Sequence, residues 1–148
     1  MSAYLLALVI ACLAGVTMAF QGAINSGAAK IIGLLEATFV VHVVGLVAVA
    51  VLLFAFRPGE GSLARLPDAS WYPYAGGILG VIILYGVMRS IPKVGVAPAT
   101  TAIIIGQVLT AALIDHLGWF GLSKIPFNWC RVLGTLLMAG GAFLLLKK

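Results

Sequence analysis

The chain has 148 residues, of which 63% are hydrophobic and 9% charged, and its formal net charge is +5. Because about a quarter of the residues in soluble globular domains are charged, this composition excludes a soluble fold and predicts an integral membrane protein. The basic residues lie between apolar runs or at the C-terminus rather than in one patch, so the charge gives little support to nucleic-acid binding. Cys12 and Cys130 have no His or Cys at ligand spacing, which indicates neither a disulfide framework nor a zinc site.

The first apolar run extends from Tyr4 to Asn25 and is predicted to cross the membrane. A helix of this length measures about 33 Å, against a bilayer core of about 30 Å. The run is too long for the core of a signal peptide, and no basic segment precedes it. Residues 26–30 are then predicted to form a short polar connection to the second span.

Turn residues predict where the later spans begin and end. The sequence Arg57-Pro58-Gly59 is predicted to end the second span, because Pro and Gly stop a helix. Residues 90–93 are predicted to form a tight turn, and Pro98 follows in the first turns of the fourth span, where its missing N–H costs least. Aromatic residues flank the 115–128 loop, and Lys147-Lys148 is predicted to anchor the end of the fifth span at the membrane interface. The predicted spans are 4–25, 31–56, 71–89, 94–115 and 129–146.

These spans predict an all-α, polytopic membrane protein in which residues 1–148 form a single transmembrane domain. With five spans, the two termini lie on opposite sides of the membrane. The Lys and Arg residues divide four to five between the two sides, so the positive-inside rule selects neither orientation. Chance is one explanation in a chain with so few charges. The other is dual topology, in which two oppositely oriented copies form an antiparallel homodimer that reproduces the inverted repeats of secondary transporters.

A polar face on the first span is the first candidate for a binding site. Thr17, Gln21 and Asn25 recur every four residues and therefore lie on one side of a helix. Because polar side chains facing lipid are costly, this face is expected to contact a water-filled cavity or another helix. It is predicted either to form one wall of a substrate cavity or to join helices through hydrogen bonds.

Three ionisable residues are candidates for proton or ion coupling, namely Glu36, His42 and Asp115. A carboxylate inside the membrane is a natural proton carrier, and His titrates near neutral pH. Each of the three could instead have only a structural role. Glu36 could pair with Lys30 or complement the start of the second helix, and Asp115 could cap the last loop.

The other spans add two polar candidates and a packing surface. Tyr85 and Arg89 lie four residues apart on one face of the third span, with Arg89 as an interfacial anchor. Gln107 is the best mid-membrane polar residue of the fourth span. Gly134 and Gly141 are one heptad apart, which is typical of a closely packed subunit interface.

No enzyme motif is present. The sequence contains no GxSxG, HExxH, P-loop or dinucleotide fingerprint, and its only His residues are His42 and His116. We therefore predict neither catalysis nor a cofactor or metal.

Several short motifs, taken in order, resemble the YdcZ-like inner-membrane family of the drug/metabolite transporter superfamily. The motifs are Gln21-Gly22 with Asn25, Glu36-Ala37, Gly76-Gly77-Ile78-Leu79-Gly80, Ala97-Pro98-Ala99, and Gly106-Gln107 with Asp115 and Gly118. The resemblance covers nearly the whole chain. It implies a bacterial inner-membrane protein of five helices, related to a ten-helix fused form, with an export role and poorly defined substrates. It also favours the antiparallel pair.

One departure concerns the related small multidrug resistance proteins, which use a central Glu in their first helix as the proton and cation site. The first span here has no acidic residue, so that mechanism is not carried over. A cation site could use Glu36 or Asp115, and a neutral or zwitterionic substrate held by the amides of Gln21, Asn25 and Gln107 is equally compatible.

The leading hypothesis is a small secondary transporter of the bacterial inner membrane, exporting a small polar or cationic metabolite by alternating access as an antiparallel homodimer or with a paralogue. The alternative is a non-transporting scaffold or accessory subunit. A passive channel is weaker, because the spans contain no ring of charges or filter sequence. The residues assigned are Thr17, Gln21, Asn25, Tyr85 and Gln107 to substrate binding, Glu36, His42 and Asp115 to coupling, and Gly134 and Gly141 to the dimer interface.

Overall fold

The protein is all-helical, and five of its helices are long and apolar enough to cross a membrane. The structure is a computed structural model that describes residues 2–56 and 61–147, and within those ranges it contains no β-strand. The helices are α1 (Ala3–Ile32), α2 (Leu34–Val51), α3 (Tyr72–Val94), α4 (Val96–Leu117) and α5 (Trp129–Leu146). A π-helical turn, Leu52–Phe56, continues α2, and two 3₁₀ segments, Leu63–Ala69 and Trp119–Gly121, lie in the connections. The predicted all-α class and the predicted number of membrane spans are therefore confirmed.

Side-chain caps mark where α1 and α5 begin. The Ser2 hydroxyl accepts a hydrogen bond from the Leu5 N–H at 3.2 Å, and Asn128 Oδ1 accepts one from the Arg131 N–H at 2.9 Å. Each cap satisfies one of the N–H groups that a helix start leaves without an intrahelical partner. The predicted helix stop at Arg57-Pro58-Gly59 and the terminal Lys148 lie outside the described residues.

The prediction of a polar connection at residues 26–30 was wrong, because α1 continues through them to Ile32. The Ser26 hydroxyl donates to the Gly22 carbonyl at 2.7 Å, so its polar group is satisfied within its own helix and does not end it. The connection is the single residue Gly33, whose φ of 101° and ψ of 157° belong to a region that essentially only Gly occupies.

The tight turn predicted at residues 90–93 was also wrong. These residues are the last full turn of α3, with Pro92 inside the helix. The chain turns instead at Gly95, which has a φ of 93° and a ψ of 164°. Pro98 lies in the first turn of α4, as predicted.

The chain forms two compact units, residues 1–93 and 94–148. In the first unit, the buried residues gather near the Gly33 turn. Ala29, Ala37, Leu84 and Met88 form its apolar cluster, and Met88 is completely buried.

The second unit contains α4, α5 and the loop between them. Gly118 ends α4 in the left-handed conformation, and its N–H donates to the Ile114 carbonyl at 2.8 Å. The loop then folds back, so that the Ile125 N–H donates to the Asp115 carbonyl at 2.8 Å. That the two units together form a single transmembrane domain stays a prediction.

Candidate functional site

The polar face of α1 changes character along its length. Thr17 and Gln21 are exposed, whereas Asn25 is only 7% exposed. The Thr17 hydroxyl donates to the Leu13 carbonyl at 2.9 Å and is therefore satisfied within its own helix. Of the three predicted residues, Gln21 and Asn25 therefore retain side-chain groups that can form further hydrogen bonds.

Asn25 has an unpaired donor inside the protein. Its Nδ2 is buried and has no hydrogen-bond partner among the described residues. Leaving a buried amide unpaired costs about 1 to 3 kcal/mol, so native proteins rarely keep such a group without a purpose. Its neighbour Ser26 is equally buried but bonds to its own helix. Asn25 thus has a buried donor that is unpaired in this conformation and that an acceptor could reach only if the helices around it move.

Helix α3 approaches α1 closely at Gly22, three residues before Asn25. A Cβ placed on Gly22 would lie 3.1 Å from both Val87 Cγ1 and Ile91 Cδ1, so α3 approaches α1 at the position where α1 has no side chain. Gly22 and Asn25 are therefore on the buried part of α1, whereas Gln21 is exposed.

His42 lies half-buried between α2 and α3. Its Nδ1 is 2.8 Å from the Thr38 carbonyl, which accepts a hydrogen bond and so fixes the proton on Nδ1. Its Nε2 lies 3.7 Å from the point where a Cβ on Gly80 would stand. Gly80, which has no side chain, therefore lies opposite Nε2 on α3.

Glu36 lies at the start of α2 and not in the middle of the membrane span. Its side chain is exposed and folds back towards Gly33, with Cδ 3.0 Å from the place of a Cβ on that residue. A carboxylate there complements the unpaired N–H groups of the first turn of α2. The structure contains no ion pair between Glu36 and Lys30, both of which are described. This geometry favours the helix-end role for Glu36.

Tyr85 and Arg89 share a face of α3, as their spacing predicted. Arg89 Nη1 donates to the Tyr85 hydroxyl oxygen at 3.3 Å. The arginine is exposed and the tyrosine half-buried. Tyr85 still has its hydroxyl proton available as a donor.

Asp115 forms an ion pair that the sequence reading missed. Its Oδ2 accepts from Arg131 Nη1 at 3.4 Å, and the two side chains are 38% and 37% exposed. The signal in the sequence was an acidic residue at the end of one helix and a basic residue at the start of the next, joined by a loop that brings the two helix ends together. The neighbouring His116 accepts a hydrogen bond from the Phe127 N–H at Nδ1, 3.4 Å away.

The remaining predicted residues lie on the surface of the single chain. Gln107 is exposed, and so are Gly134 and Gly141. A Cβ on either glycine would meet nothing within 4 Å. Both positions are therefore open to another molecule, and their assignment to a dimer interface stays a prediction. Among the described residues, no three His, Cys, Asp or Glu side chains are grouped so that they could hold a metal ion.

Comparison with known proteins identifies a family for this chain. Residues 6–144 match the family described as "Putative inner membrane exporter, YdcZ". No significant match to a curated protein or to a solved structure was found.

Proposed function

From the polar face of α1 we propose a mechanism for this chain, which belongs to the YdcZ family of inner-membrane exporters. The chain is a multi-pass inner-membrane protein with a transporter-like role. It is a secondary transporter that exports a small polar metabolite by alternating access. Two copies in opposite orientation form the working unit, and Gln21 and Asn25 bind the substrate. The unpaired Nδ2 of Asn25 is the observation that carries this assignment.

The position of Gln21 supports a cavity at this face. The midpoint of α1 falls between residues 17 and 18, so Gln21 lies roughly 5 Å from it along the axis. We place this midpoint near the centre of the bilayer, which puts Gln21 inside a hydrocarbon core about 30 Å thick. An exposed amide at that depth must contact water, substrate or a second chain, because lipid tails offer no hydrogen bond.

The hydrogen-bonding capacity of the face supports a proposal for the substrate class. Asn25 presents a donor, Gln21 presents both donor and acceptor, and α1 carries no acidic residue. A substrate with an acceptor group, such as a carboxylate, phosphate or carbonyl, satisfies the buried donor. This favours a neutral, zwitterionic or acidic metabolite over a simple cation.

His42 is the residue that we assign to proton coupling. Its Nδ1 is held by the Thr38 carbonyl, and Nε2 is left for the transferred proton. Glu36 and Asp115 are occupied by a helix start and an ion pair, respectively.

The experiment that tests the substrate site compares Asn25→Leu with Ser26→Ala. Both residues are buried at the same level of α1, but only Asn25 has an unpaired donor. Cells producing the wild-type protein are expected to release metabolites into the medium that control cells retain, as measured by untargeted mass spectrometry. Asn25→Leu abolishes that release and keeps or raises thermal stability, because it removes an unsatisfied group. Ser26→Ala changes neither.

Two results contradict the proposal. If Asn25→Leu releases metabolites like wild type, then Asn25 does not bind the substrate. If thermal stability falls in step with release, then the amide is a packing group of a scaffold.

The antiparallel pair is tested separately by labelling a single Cys added after Lys148, with Cys12 and Cys130 replaced. Labelling from both sides of the membrane is expected, and labelling from one side only overturns the homodimer.

A further inference from the structure

A groove between α4 and α5 is the second feature of the molecule with the character of a binding site. It has a volume of about 350 Å³, at the lower end of the range for small-molecule sites. Four residues of each helix line it, at spacings i, i+3, i+4 and i+7, so each helix presents one continuous face. The lining residues are Val108, Ala111, Ala112 and Asp115 of α4 and Arg131, Gly134, Thr135 and Met138 of α5.

The groove is polar at one end and apolar at the other. Asp115 is in the last turn of α4 and Arg131 in the first turn of α5, so the ion pair lies at the adjoining ends of the two helices. Val108 and Met138 lie seven residues further along each helix, roughly 10 Å deeper. Between the two ends the walls are small residues, and a Cβ on Gly134 would meet nothing within 4 Å. This is the shape of a site for an amphiphile with its head at the interface.

The ion pair leaves capacity for a zwitterionic headgroup. Arg131 and Asp115 share one hydrogen bond of 3.4 Å, which is the only side-chain hydrogen bond of either group within residues 2–56 and 61–147. The guanidinium retains four N–H donors and the carboxylate retains a second oxygen. A headgroup carrying both an anionic phosphate and a primary ammonium fits the two charges simultaneously.

We propose that this groove binds one phospholipid with a primary ammonium headgroup, such as phosphatidylethanolamine. The phosphate bonds to Arg131, the ammonium bonds to Asp115, and one acyl chain lies along Gly134 towards Val108 and Met138. Charge complementarity with both headgroup charges, at the membrane interface, identifies a lipid of this class as the occupant rather than an anionic one. The site is independent of the polar face of α1, so its occupancy can be measured without transport.

Native mass spectrometry of the purified full chain, titrated in detergent with phosphatidylethanolamine, phosphatidylcholine or phosphatidylglycerol, tests the proposal. The wild type is expected to retain one phosphatidylethanolamine per chain in preference to the other two. Arg131→Gln lowers retention roughly tenfold or more, as expected for the loss of a charge-assisted hydrogen bond. Asp115→Asn abolishes the preference for phosphatidylethanolamine over phosphatidylglycerol. Gly134→Leu fills the groove, leaves both charges in place and lowers retention of all three lipids.

The chain provides a matched control in Arg65 and Asp68. This ion pair spans 3.6 Å, is 82% and 72% exposed, and has no part in the groove, so Arg65→Gln and Asp68→Asn leave lipid retention unchanged. The proposal is overturned if the groove variants retain lipid like wild type. It is also overturned if Gly134→Leu converts dimers to monomers in the same spectra, which makes the groove a contact between copies. Displacement of the lipid by an equal concentration of free phosphoethanolamine overturns it as well, since the site is then one for a soluble zwitterion.

Discussion

Gly33 and Gly95 adopt the same backbone conformation, with φ and ψ of 101° and 157° at the first and 93° and 164° at the second. Each is the only residue between two long helices. The residue four positions after each glycine is a buried alanine, Ala37 or Ala99, whose N–H donates to the glycine carbonyl. The connections α1–α2 and α3–α4 are therefore built in the same way.

Replacing either glycine with alanine is expected to destabilise the protein by about 1 to 3 kcal/mol, because this region of backbone space is essentially closed to residues with a Cβ. Thermal unfolding in detergent, followed by circular dichroism, measures the loss. At Gly95 the new Cβ has only an ordinary contact, 3.6 Å from Pro98 Cδ, so backbone strain alone accounts for the change. At Gly33 the Glu36 side chain must also move.

Gly27→Ala and Gly86→Ala are the controls for this prediction. Both positions are helical, and a Cβ at either would meet nothing within 4 Å. Alanine is expected to raise stability slightly there, because it is the better helix former. Equal melting temperatures for Gly33→Ala and Gly27→Ala would contradict the argument.

The sequence predicted the spans well and the turns poorly, for a physical reason. Span number follows from hydropathy and length, which the bilayer imposes directly. The turns at 26–30 and 90–93 were placed on polar residues, yet Ser26 and Ser90 bond to the carbonyls of Gly22 and Val87 and allow the helix to continue. The turn signal was one glycine with positive φ, and one glycine among 18 in the chain gives no distinctive pattern.

A larger side chain at position 22 is expected to separate α3 from α1. A Cβ at Gly22 already lies 3.1 Å from Val87 Cγ1 and Ile91 Cδ1, so Gly22→Val forces overpacking that costs about 1 to 3 kcal/mol. Thermal unfolding measures the loss. Adding Ile91→Ala should recover part of it, because the smaller partner makes room for the valine.

Gly15→Val on the same helix is the control, since a Cβ there meets nothing within 4 Å. It changes the same residue type at a site without close contact, and we expect a loss well below that of Gly22→Val. If the two variants lose the same stability, then helix propensity and not the contact with α3 accounts for the effect.

The polar site was predicted only in part. Spacing showed that Thr17, Gln21 and Asn25 share a face, but spacing does not reveal which groups find partners. Thr17 bonds to its own helix, whereas Asn25 is buried by tertiary packing that its spacing along the helix does not encode. The Asp115–Arg131 pair depends on how the 118–128 loop returns, which no local pattern specifies.

Substitutions at His42 are expected to distinguish the structural role of its Nδ1 from the proposed proton-carrying role of its Nε2. His42→Asn keeps a donor near the position of Nδ1 for the Thr38 carbonyl and removes Nε2. Under the proposed coupling, His42→Asn retains thermal stability but makes metabolite release insensitive to a collapse of the proton gradient by an ionophore. Release that remains ionophore-sensitive in His42→Asn rules this residue out as the proton carrier. His116→Asn, which alters the other histidine, should leave ionophore sensitivity intact.

Two contacts hold the α4–α5 loop to the end of α4, and removing one of them is expected to speed tryptic cleavage after Lys124. Ile125 donates to the Asp115 carbonyl at 2.8 Å, and the His116 ring accepts from the Phe127 N–H and lies against the Phe127 ring, with centroids 4.9 Å apart. His116→Ala removes the second contact, worth about 1 kcal/mol, so the loop opens several times more often and cleavage after Lys124 accelerates by a similar factor.

Gly118→Ala should also speed cleavage after Lys124, because it strains the start of the loop. Gly118 has a φ of 66°, and a Cβ there would lie 3.3 Å from both the Leu122 carbonyl oxygen and Lys124 Cβ. Lys124→Gln identifies the cleaved bond, because it should abolish the fragment in every background. If His116→Ala and the wild type are cut at the same rate, then the Ile125 hydrogen bond alone determines how often the loop opens, and the histidine ring contributes nothing to it.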